Sequence, residues 1–273
     1  AYFLLGLGVI MALGPTVAQH YGGSRFVDIG YDTRQGLWLT LLVSLLVIIA
    51  MRTVEPGLRW MGIDPAVSIV AQGYLDAMSW GVIGAYGYHT LKQMSEGVGR
   101  TIPIMVVMGV SLPINIFLNY SFMHGRFAWE PMGAIGCGLG NGISFWLMFM
   151  MISFYTARSP YYEPFKIWQR LERPDPVALR RLVVLGLPIG ISLFMQSGLF
   201  TVVALLMGTL GTATLAAHQI VLNYSGLVFM IPLGLGMAIT VVVGQAVGRS
   251  DVVGATRIGY TGVCMCSSIS LLF

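Results

Sequence analysis

Long apolar runs without charged residues dominate this chain. No Asp, Glu, Lys or Arg occurs in four stretches, at residues 1–24, 101–125, 131–157 and 182–248. A helix needs roughly 20 consecutive, mainly apolar residues to cross a bilayer, and each stretch reaches that length. The pattern therefore predicts an all-α fold, a polytopic bundle of transmembrane helices.

Glycine, proline and charged residues divide the apolar sequence into eight predicted spans. Their expected positions are 1–21, 36–54, 67–92, 101–123, 131–157, 181–207, 213–247 and 255–273, with the first and the last truncated. The seventh is longer than one bilayer thickness, so it must tilt, break or protrude. Pro232, Gly234 and Gly236 mark the place where we expect it to break.

Composition agrees with this class of protein and excludes others. Only 10% of the residues are charged and the mean hydropathy is +0.79, whereas a soluble domain is about 25% charged. The net charge of +4 does not indicate a nucleic-acid partner, because no basic cluster is interleaved with aromatic residues. No metal site is expected either, since Cys137, Cys264 and Cys266 lie inside apolar runs at a spacing that fits none.

The basic residues are divided unequally between the two sides of the predicted bundle. With eight spans, Arg52, Arg59 and Arg126 fall on one side, and the other twelve of the 15 Lys and Arg residues fall on the opposite side. Loops that are rich in Lys and Arg stay in the cytoplasm. The second side, which includes the polar stretch 158–181, is therefore predicted to be cytoplasmic.

An internal repeat relates the beginning of the chain to its last part. Aligning each residue with the one 226 positions later gives eight identities in 26 positions, among them Gln19 with Gln245 and Gly22 with Gly248. Six predicted spans separate the two copies, and an even number gives both the same orientation. Parallel repeats around a cavity are typical of transporters.

Several short motifs occur in an order that resembles a known transporter family. They are MALGPTVAQ at 11–19, EGVGRTIP at 96–103, NIFLNYSFMHG at 115–125, LAAHQI at 215–220 and VGQ at 243–245. The ordered set resembles the multidrug and toxic compound extrusion (MATE) family, in particular its NorM-like branch.

The resemblance implies a domain organisation. The family has twelve helices in two pseudo-symmetric lobes, and this chain is similar to family helices two to nine. On that basis residues 1–157 are an N-lobe that lacks its first helix, 158–181 a cytoplasmic interlobe linker, and 182–273 the first part of a C-lobe.

The resemblance also implies a function. Family members export cationic, amphipathic drugs by alternating access in exchange for H⁺ or Na⁺. We therefore expect an antiporter of a bacterial inner membrane, acting as a monomer, whose partners are the lipid bilayer and cationic small molecules. No cofactor is expected apart from the coupling ion, H⁺ or Na⁺.

Two asparagines of the fourth span are candidate binding residues. Asn115 and Asn119 are four residues apart and therefore project from one helix face. Their amide oxygens could coordinate a cation or support a proton-linked network, or the side chains could bond neighbouring helices together. By resemblance, some family members use an Asn and an Asp at this spacing as a cation site, together with an Asp of the first helix, but the second residue here is Asn119.

Other strongly polar residues at membrane depth are also functional candidates. Gln196 lies in the sixth span where NorM-like relatives carry Glu, and an amide cannot titrate. Asp76 either reaches water at the outer end of its span or attracts cationic substrates. His218, Gln219 and Asn223 form a family-like cluster in the seventh span, with a packing role as the alternative.

The sequence leaves two other functions open. A flippase of a lipid-linked precursor would need positive charge at mid-membrane for a pyrophosphate, and the spans carry none there. A membrane protein without transport activity is the other, and the repeat argues against it. An enzyme is not expected, because the four histidines are scattered over different helices and no nucleophile converges with a base.

Overall fold

Ten α-helices and one 3-10 helix make up the described part of the chain. A computed structural model describes residues 2–54, 65–125, 132–169, 172–209 and 211–271. The α-helices are α1 (Tyr2–Met11), α2 (Leu13–Gly22), α3 (Phe26–Arg52), α4 (Pro65–Ser79), α5 (Val82–Gly97), α6 (Ile102–His124), α7 (Gly133–Arg158), α8 (Pro176–Thr209), α9 (Thr212–Gly248) and α10 (Val252–Leu271), and the 3-10 helix is Pro160–Phe165. No strand occurs in these ranges, which confirms the predicted all-α fold.

Every predicted span has a helical counterpart. Six segments in the described ranges are long and apolar enough to cross a membrane: α1 with α2, and then α3, α6, α7, α8 and α9. The helices α4 and α5 together take the place of the third predicted span, and α10 takes the place of the eighth.

Two spans that we predicted as single helices are interrupted. The helix α1 ends at Met11 and α2 begins at Leu13, because Pro15 has no amide hydrogen to offer the Met11 carbonyl. Between α4 and α5 the chain makes a turn, in which the Gly81 amide donates to the Met78 carbonyl at 2.9 Å.

Two further predictions about helix boundaries were wrong. The helix α3 begins at Phe26 rather than at 36, so it includes ten polar and mixed residues before its apolar run. The expected break in the seventh span does not occur, since α9 is one helix of 37 residues that continues through Pro232. Proline is tolerated inside transmembrane helices because neighbouring groups satisfy the freed carbonyl.

Close packing around α7 depends on two rows of glycine. Gly136 and Gly140 lie against α6, whereas Gly138 and Gly142 lie against α4 and the turn that follows it. Residues four apart share a face of a helix, and residues two apart point to nearly opposite faces. The helix α7 therefore packs tightly between two neighbours, as helices with small residues do in membranes.

The largest buried core lies at one end of the bundle, where residues 159–169 and 172–175 are found; we call this the linker end. Its members come from α1, α2, α3, α5, α6, α7, α8 and the 3-10 helix, among them Val17, Ile29, Leu91, Met94, Ile152, Tyr162, Phe165 and Leu182. The 3-10 helix is bonded to this core, because the hydroxyls of Tyr162 and Ser95 are 2.7 Å apart.

The polar stretch before α8 is bonded to α3. Arg34 donates to the Glu172 carboxylate at 2.8 Å and to the Lys166 carbonyl at 2.7 Å, and Gln35 accepts from the Asp175 amide at 2.8 Å. Because these partners bond both terminal nitrogens of Arg34 and the amide of Gln35, α3 continues beyond its apolar run. The helix α8 begins at Pro176 rather than at 181, so it includes the last residues of the predicted linker.

A buried carboxylate joins three helices at the linker end. Asp32 of α3 is only 1% exposed. Its two oxygens contact His20 of α2 at 2.8 Å and Arg181 of α8 at 2.5 Å. His20 therefore holds helices together.

The repeat of 226 residues is visible in the backbone. The amide four residues after Gln19 donates to the Gln19 carbonyl at 3.0 Å, and the amide four residues after Gln245 donates to the Gln245 carbonyl at 3.1 Å. The next residues in register, Ser24 and Ser250, have φ angles of 55° and 61°. The helices α2 and α9 thus end in the same left-handed turn, at the same end of the bundle.

The division into an N-lobe, a linker and a C-lobe at 1–157, 158–181 and 182–273 remains a prediction. So does the cytoplasmic position of the linker end. Among the basic residues expected on the outer side, Arg59 and Arg126 lie outside the described residues.

Replacing Asp32 by Ala is expected to destabilise the protein by about 2 kcal/mol. Removing one member of a buried ion pair leaves a charge without its partner, although Arg181 is half exposed and can still be solvated. Asp28→Ala is the matched control, because Asp28 is exposed and 4.0 Å from the other nitrogen of His20. Equal melting temperatures of the two variants in detergent would contradict this account.

Tyr31→Phe is expected to raise the pKa of Asp175. This pKa lies below its ordinary value of 3.8 because Tyr31 donates to the carboxylate, as does the Val177 amide. A lowered pKa means that the attachment contributes stability above the ordinary value and loses it as the pH falls through the folded value. A ¹³C titration of Asp175 would show the shift, and Tyr21→Phe should leave it unchanged.

Candidate functional site

Polar side chains from three helices meet inside the N-terminal half of the bundle. Asn115 and Asn119 come from α6, Asn141 and Ser144 from α7, and Tyr74 from α4. We call these five residues the amide cluster. Asn115 and Asn119 were predicted from the sequence, and the structure brings them together as neighbours on one face.

The amide cluster is a connected hydrogen-bond network. Asn115 Nδ2 donates to Asn141 Oδ1 at 2.9 Å and to Ser144 Oγ at 3.0 Å. Asn119 Nδ2 donates to Asn115 Oδ1 at 3.0 Å and to Asn141 Oδ1 at 3.3 Å. Asn141 Nδ2 reaches the Tyr74 hydroxyl at 3.4 Å. The three amides therefore hold one another in fixed orientations.

One acceptor of the amide cluster is left over. Asn119 Oδ1 is buried and has no hydrogen-bond partner within the described residues. It lies against Gly140, where a Cβ would contact it. A buried acceptor without a partner costs about 1–3 kcal/mol, so an incoming cation or donor would gain that amount by binding there.

The amide cluster lies beside a proline of α6 and two glycines of α7. Pro113 is inside α6, two residues before Asn115, and proline in a helix removes one hydrogen bond and bends the axis. Glycine at 140 and 142 flanks Asn141 on α7. Both helices thus carry residues of low helix propensity where the amides project.

Asn141 was missed by the sequence analysis. It is an amide within a long apolar helix, so the criterion that selected Asn115 also applies to it. Its position between two glycines was the available signal. Tyr74 and Ser144 carried no such signal, because single hydroxyls are common in membrane helices.

The cluster is electrically neutral. Its members are amides and hydroxyls, which offer oxygen ligands and hydrogen-bond donors but no titrating carboxylate. Among the described residues, no group of three or more His, Cys, Asp or Glu side chains is placed to hold a metal ion. The site can coordinate a cation weakly or bind a polar group of a substrate.

Asp76 is not part of the amide cluster. It is an exposed residue of α4, and its Oδ1 accepts from Gln72 Nε2 one helical turn away at 2.8 Å. Gln72 also donates to the Met51 carbonyl at 3.2 Å, which ties α4 to α3. The Asp76 carboxylate thus lies at an exposed position of α4, and both interpretations of its role remain predictions.

The candidates of the sixth and seventh spans are not brought together. Gln196 on α8 and Gln219 and Asn223 on α9 are all exposed. Within the described residues, Gln196 and Asn223 form no hydrogen bond, and the buried Nε2 of His218 has no partner. These residues line open helix faces and form no joint site with the amide cluster.

A family model covers most of the chain. The model described as MatE matches residues 1–121 and 188–273, which include both predicted asparagines and the whole of α9 and α10. The chain belongs to the MatE family. This match confirms the family that was predicted from the ordered motifs.

Relatives of this MatE chain are named as multidrug resistance proteins. The multidrug resistance protein MdtK of Yersinia pseudotuberculosis is 38% identical over 263 residues, which is 96% of this chain and 58% of the relative. MdtK of Yersinia enterocolitica matches with the same identity and coverage. The chain thus spans less than two thirds of these relatives. Both relatives are named for multidrug resistance, and neither is named as an enzyme.

Solved MATE transporters share the fold. The eukaryotic MATE transporter AtDTX14 aligns with a TM-score of 0.82 at 19% identity, over 96% of this chain and 58% of its own. A MATE protein in complex with MaL6 aligns with a TM-score of 0.87 at 19% identity, over 99% and 60%. The helices of this chain are therefore arranged like those in the matching part of these transporters.

Asn141→Ala is expected to destabilise the MatE chain by about 1–2 kcal/mol, because two buried amide donors lose their shared acceptor. A double-mutant cycle with Asn115→Ala should give a coupling energy of about 0.6 kcal/mol, the average for polar pairs between membrane helices.

Asn223→Ala is the matched control for Asn141→Ala, since it removes the same amide from an exposed position. It should change the unfolding free energy by less than about 0.5 kcal/mol. Equal losses for the two substitutions, or zero coupling between Asn115 and Asn141, would contradict the network.

Proposed function

We propose that the protein is a secondary active exporter that exchanges cationic, amphipathic compounds for H⁺ or Na⁺ by alternating access. The observation that carries this proposal is the 38% identity to MdtK multidrug resistance proteins over 96% of the chain. Membership of the MatE family and the parallel repeat support it. The proposed setting is a bacterial inner membrane, with the linker end in the cytoplasm and the protein acting as a monomer.

In this proposal the amide cluster binds the coupling cation. Asn119 Oδ1 is the open ligand, and the oxygens of Asn115 and Asn141 lie on the same network. Because the cluster is neutral, it binds a cation weakly and releases it easily, which suits a site that must empty in every cycle. Coupling to H⁺ requires a titrating group beyond these residues.

The exposed faces of α8 and α9 are the proposed path of the compound. Gln196, Gln219 and Asn223 offer hydrogen bonds there without charge, and the imidazole of His218 adds a further hydrogen-bonding group. Their neighbours are large apolar side chains such as Met195 and Phe229, which are exposed. An apolar wall with a few polar groups suits amphipathic ligands.

The complete protein, reconstituted in proteoliposomes with ethidium as the test compound, is expected to export it when one ion gradient is imposed. A proton gradient and a sodium gradient are applied separately, and the stimulating gradient identifies the coupling ion. Asn119→Ala should reduce gradient-driven export roughly tenfold, because about 1.4 kcal/mol of binding corresponds to a factor of ten.

Thr261→Ala is the matched control for transport. Its hydroxyl bonds only to the carbonyl one turn back in α10, at 2.8 Å, so export should be unchanged. Size-exclusion profiles of each variant separate loss of folding from loss of transport. No export under either gradient would overturn the proposal, and scrambling of a lipid-linked precursor instead would favour a flippase.

A further inference from the structure

We propose that the crossing of α2 and α9 is a releasable latch between the two copies of the repeat, with the Gln245 side chain as its hydrogen-bonding element. The latch keeps the linker end closed. This proposal rests on the proposed alternating access and names one structural element of it, because the closed end must open during such a cycle.

The crossing is built from two equivalent backbone contacts. Gly22 of α2 packs directly against the Gln245 carbonyl, and Gly248 of α9 packs directly against the Gln19 carbonyl. Gly22 and Gly248 are equivalent in the repeat, as are Gln19 and Gln245, so each contact is the repeat equivalent of the other. The contact therefore lies on a local two-fold axis that runs along the two helices.

Small residues continue the crossing by another turn. A Cβ on Gly244 would lie 2.9 Å from the Ala18 Cβ and 3.5 Å from the Pro15 carbonyl. These contacts are made by glycine, alanine and backbone atoms, so the two helices can separate as rigid bodies. Contacts of this kind are lost together, which is the property of a two-state element.

The Gln245 side chain adds a bond to a third helix. Its Nε2 donates to the Gly97 carbonyl at the end of α5, at 3.0 Å. Gln19, the same residue in the other copy, is exposed, and its side chain has no hydrogen-bond partner within the described residues. The backbone contacts are thus symmetric, whereas this side-chain bond is made on one side only.

The strength of this bond suits a latch. A neutral hydrogen bond between protein groups shifts an equilibrium by a factor of roughly 2 to 10. That is enough to favour the closed arrangement and small enough to be released. Neither the amide nor the carbonyl titrates, so a relative motion of the helices opens the latch without a change in its protonation.

The separation of α2 and α9 can be measured directly in the complete protein. Spin labels at Arg25→Cys and Arg249→Cys flank the crossing at exposed positions, and electron–electron double resonance gives the distance between them. The native cysteines are first replaced by serine, at Cys137, Cys264 and Cys266.

Gln245→Ala is expected to raise the ratio of separated to closed molecules about fivefold. Gln19→Ala, the matched control, should change that ratio less than twofold. An unchanged ratio in Gln245→Ala, or an equal increase in Gln19→Ala, would overturn the assignment of the latch to Gln245.

Gly22→Ala and Gly248→Ala test the two-fold contact independently. Each adds a methyl group against a backbone carbonyl, so both should shift molecules to the separated state to the same extent. Gly236→Ala is the control on α9, because a Cβ there would meet nothing within 4 Å. Should the two glycine variants fail to fold, Gln245→Ala still decides the question.

The distance measurement needs neither substrate nor gradient. A ratio that responds to Gln245→Ala in a protein that exports nothing would support the latch and overturn the proposed function. Normal export combined with an unresponsive ratio would overturn the latch and leave the exporter in place.

Discussion

Close approach of helix backbones determines how this MatE chain is assembled. Lipid tails are as apolar as the side chains they meet, so helices in a bilayer associate through packing at small residues rather than by burial from water. Glycine supplies 35 of the 273 residues, and it lies at the principal helix contacts. Gly190 of α8 packs against Gly8 of α1 in the same way as α7 packs against α4 and α6. The position of the amide cluster follows from that last packing.

Ion pairs and side-chain hydrogen bonds are concentrated at the linker end, where apolar packing alone would not attach α3 to α8. At the linker end, buried Asp32 and Arg34 attach α3 to α8 and to the residues before it. Buried ion pairs contribute less to net stability than to specifying one arrangement. In this molecule they fix where α8 begins relative to α2 and α3, and the glycine contacts further along the helices then fall into register.

Features that depend on nearby residues, such as the helices and their faces, could be predicted from the sequence. Features that depend on contacts between distant residues could not. Runs of apolar residues were sufficient for the spans, and the spacing of Asn115 and Asn119 was sufficient to place them on one face. The start of α3 was missed because the partners of Arg34 lie more than 130 positions away. Asn141 was missed although its signal, an amide within an apolar helix, was present. The distance between Gln196 and Asn223 could not be predicted, because they lie on different helices and no local sequence pattern relates two helices.

The neutrality of the amide cluster has an electrical consequence. Moving one elementary charge across a membrane potential involves about 2.3 kcal/mol per 100 mV, whereas a group of uncharged amides involves none. If access to the cluster alternates while it is empty, that step transfers no charge of its own, and the membrane potential acts only on whatever ion the cluster holds. The voltage dependence of a full cycle would then report the charge of the cargo and its coupling ion, with the protein itself electrically silent at this position.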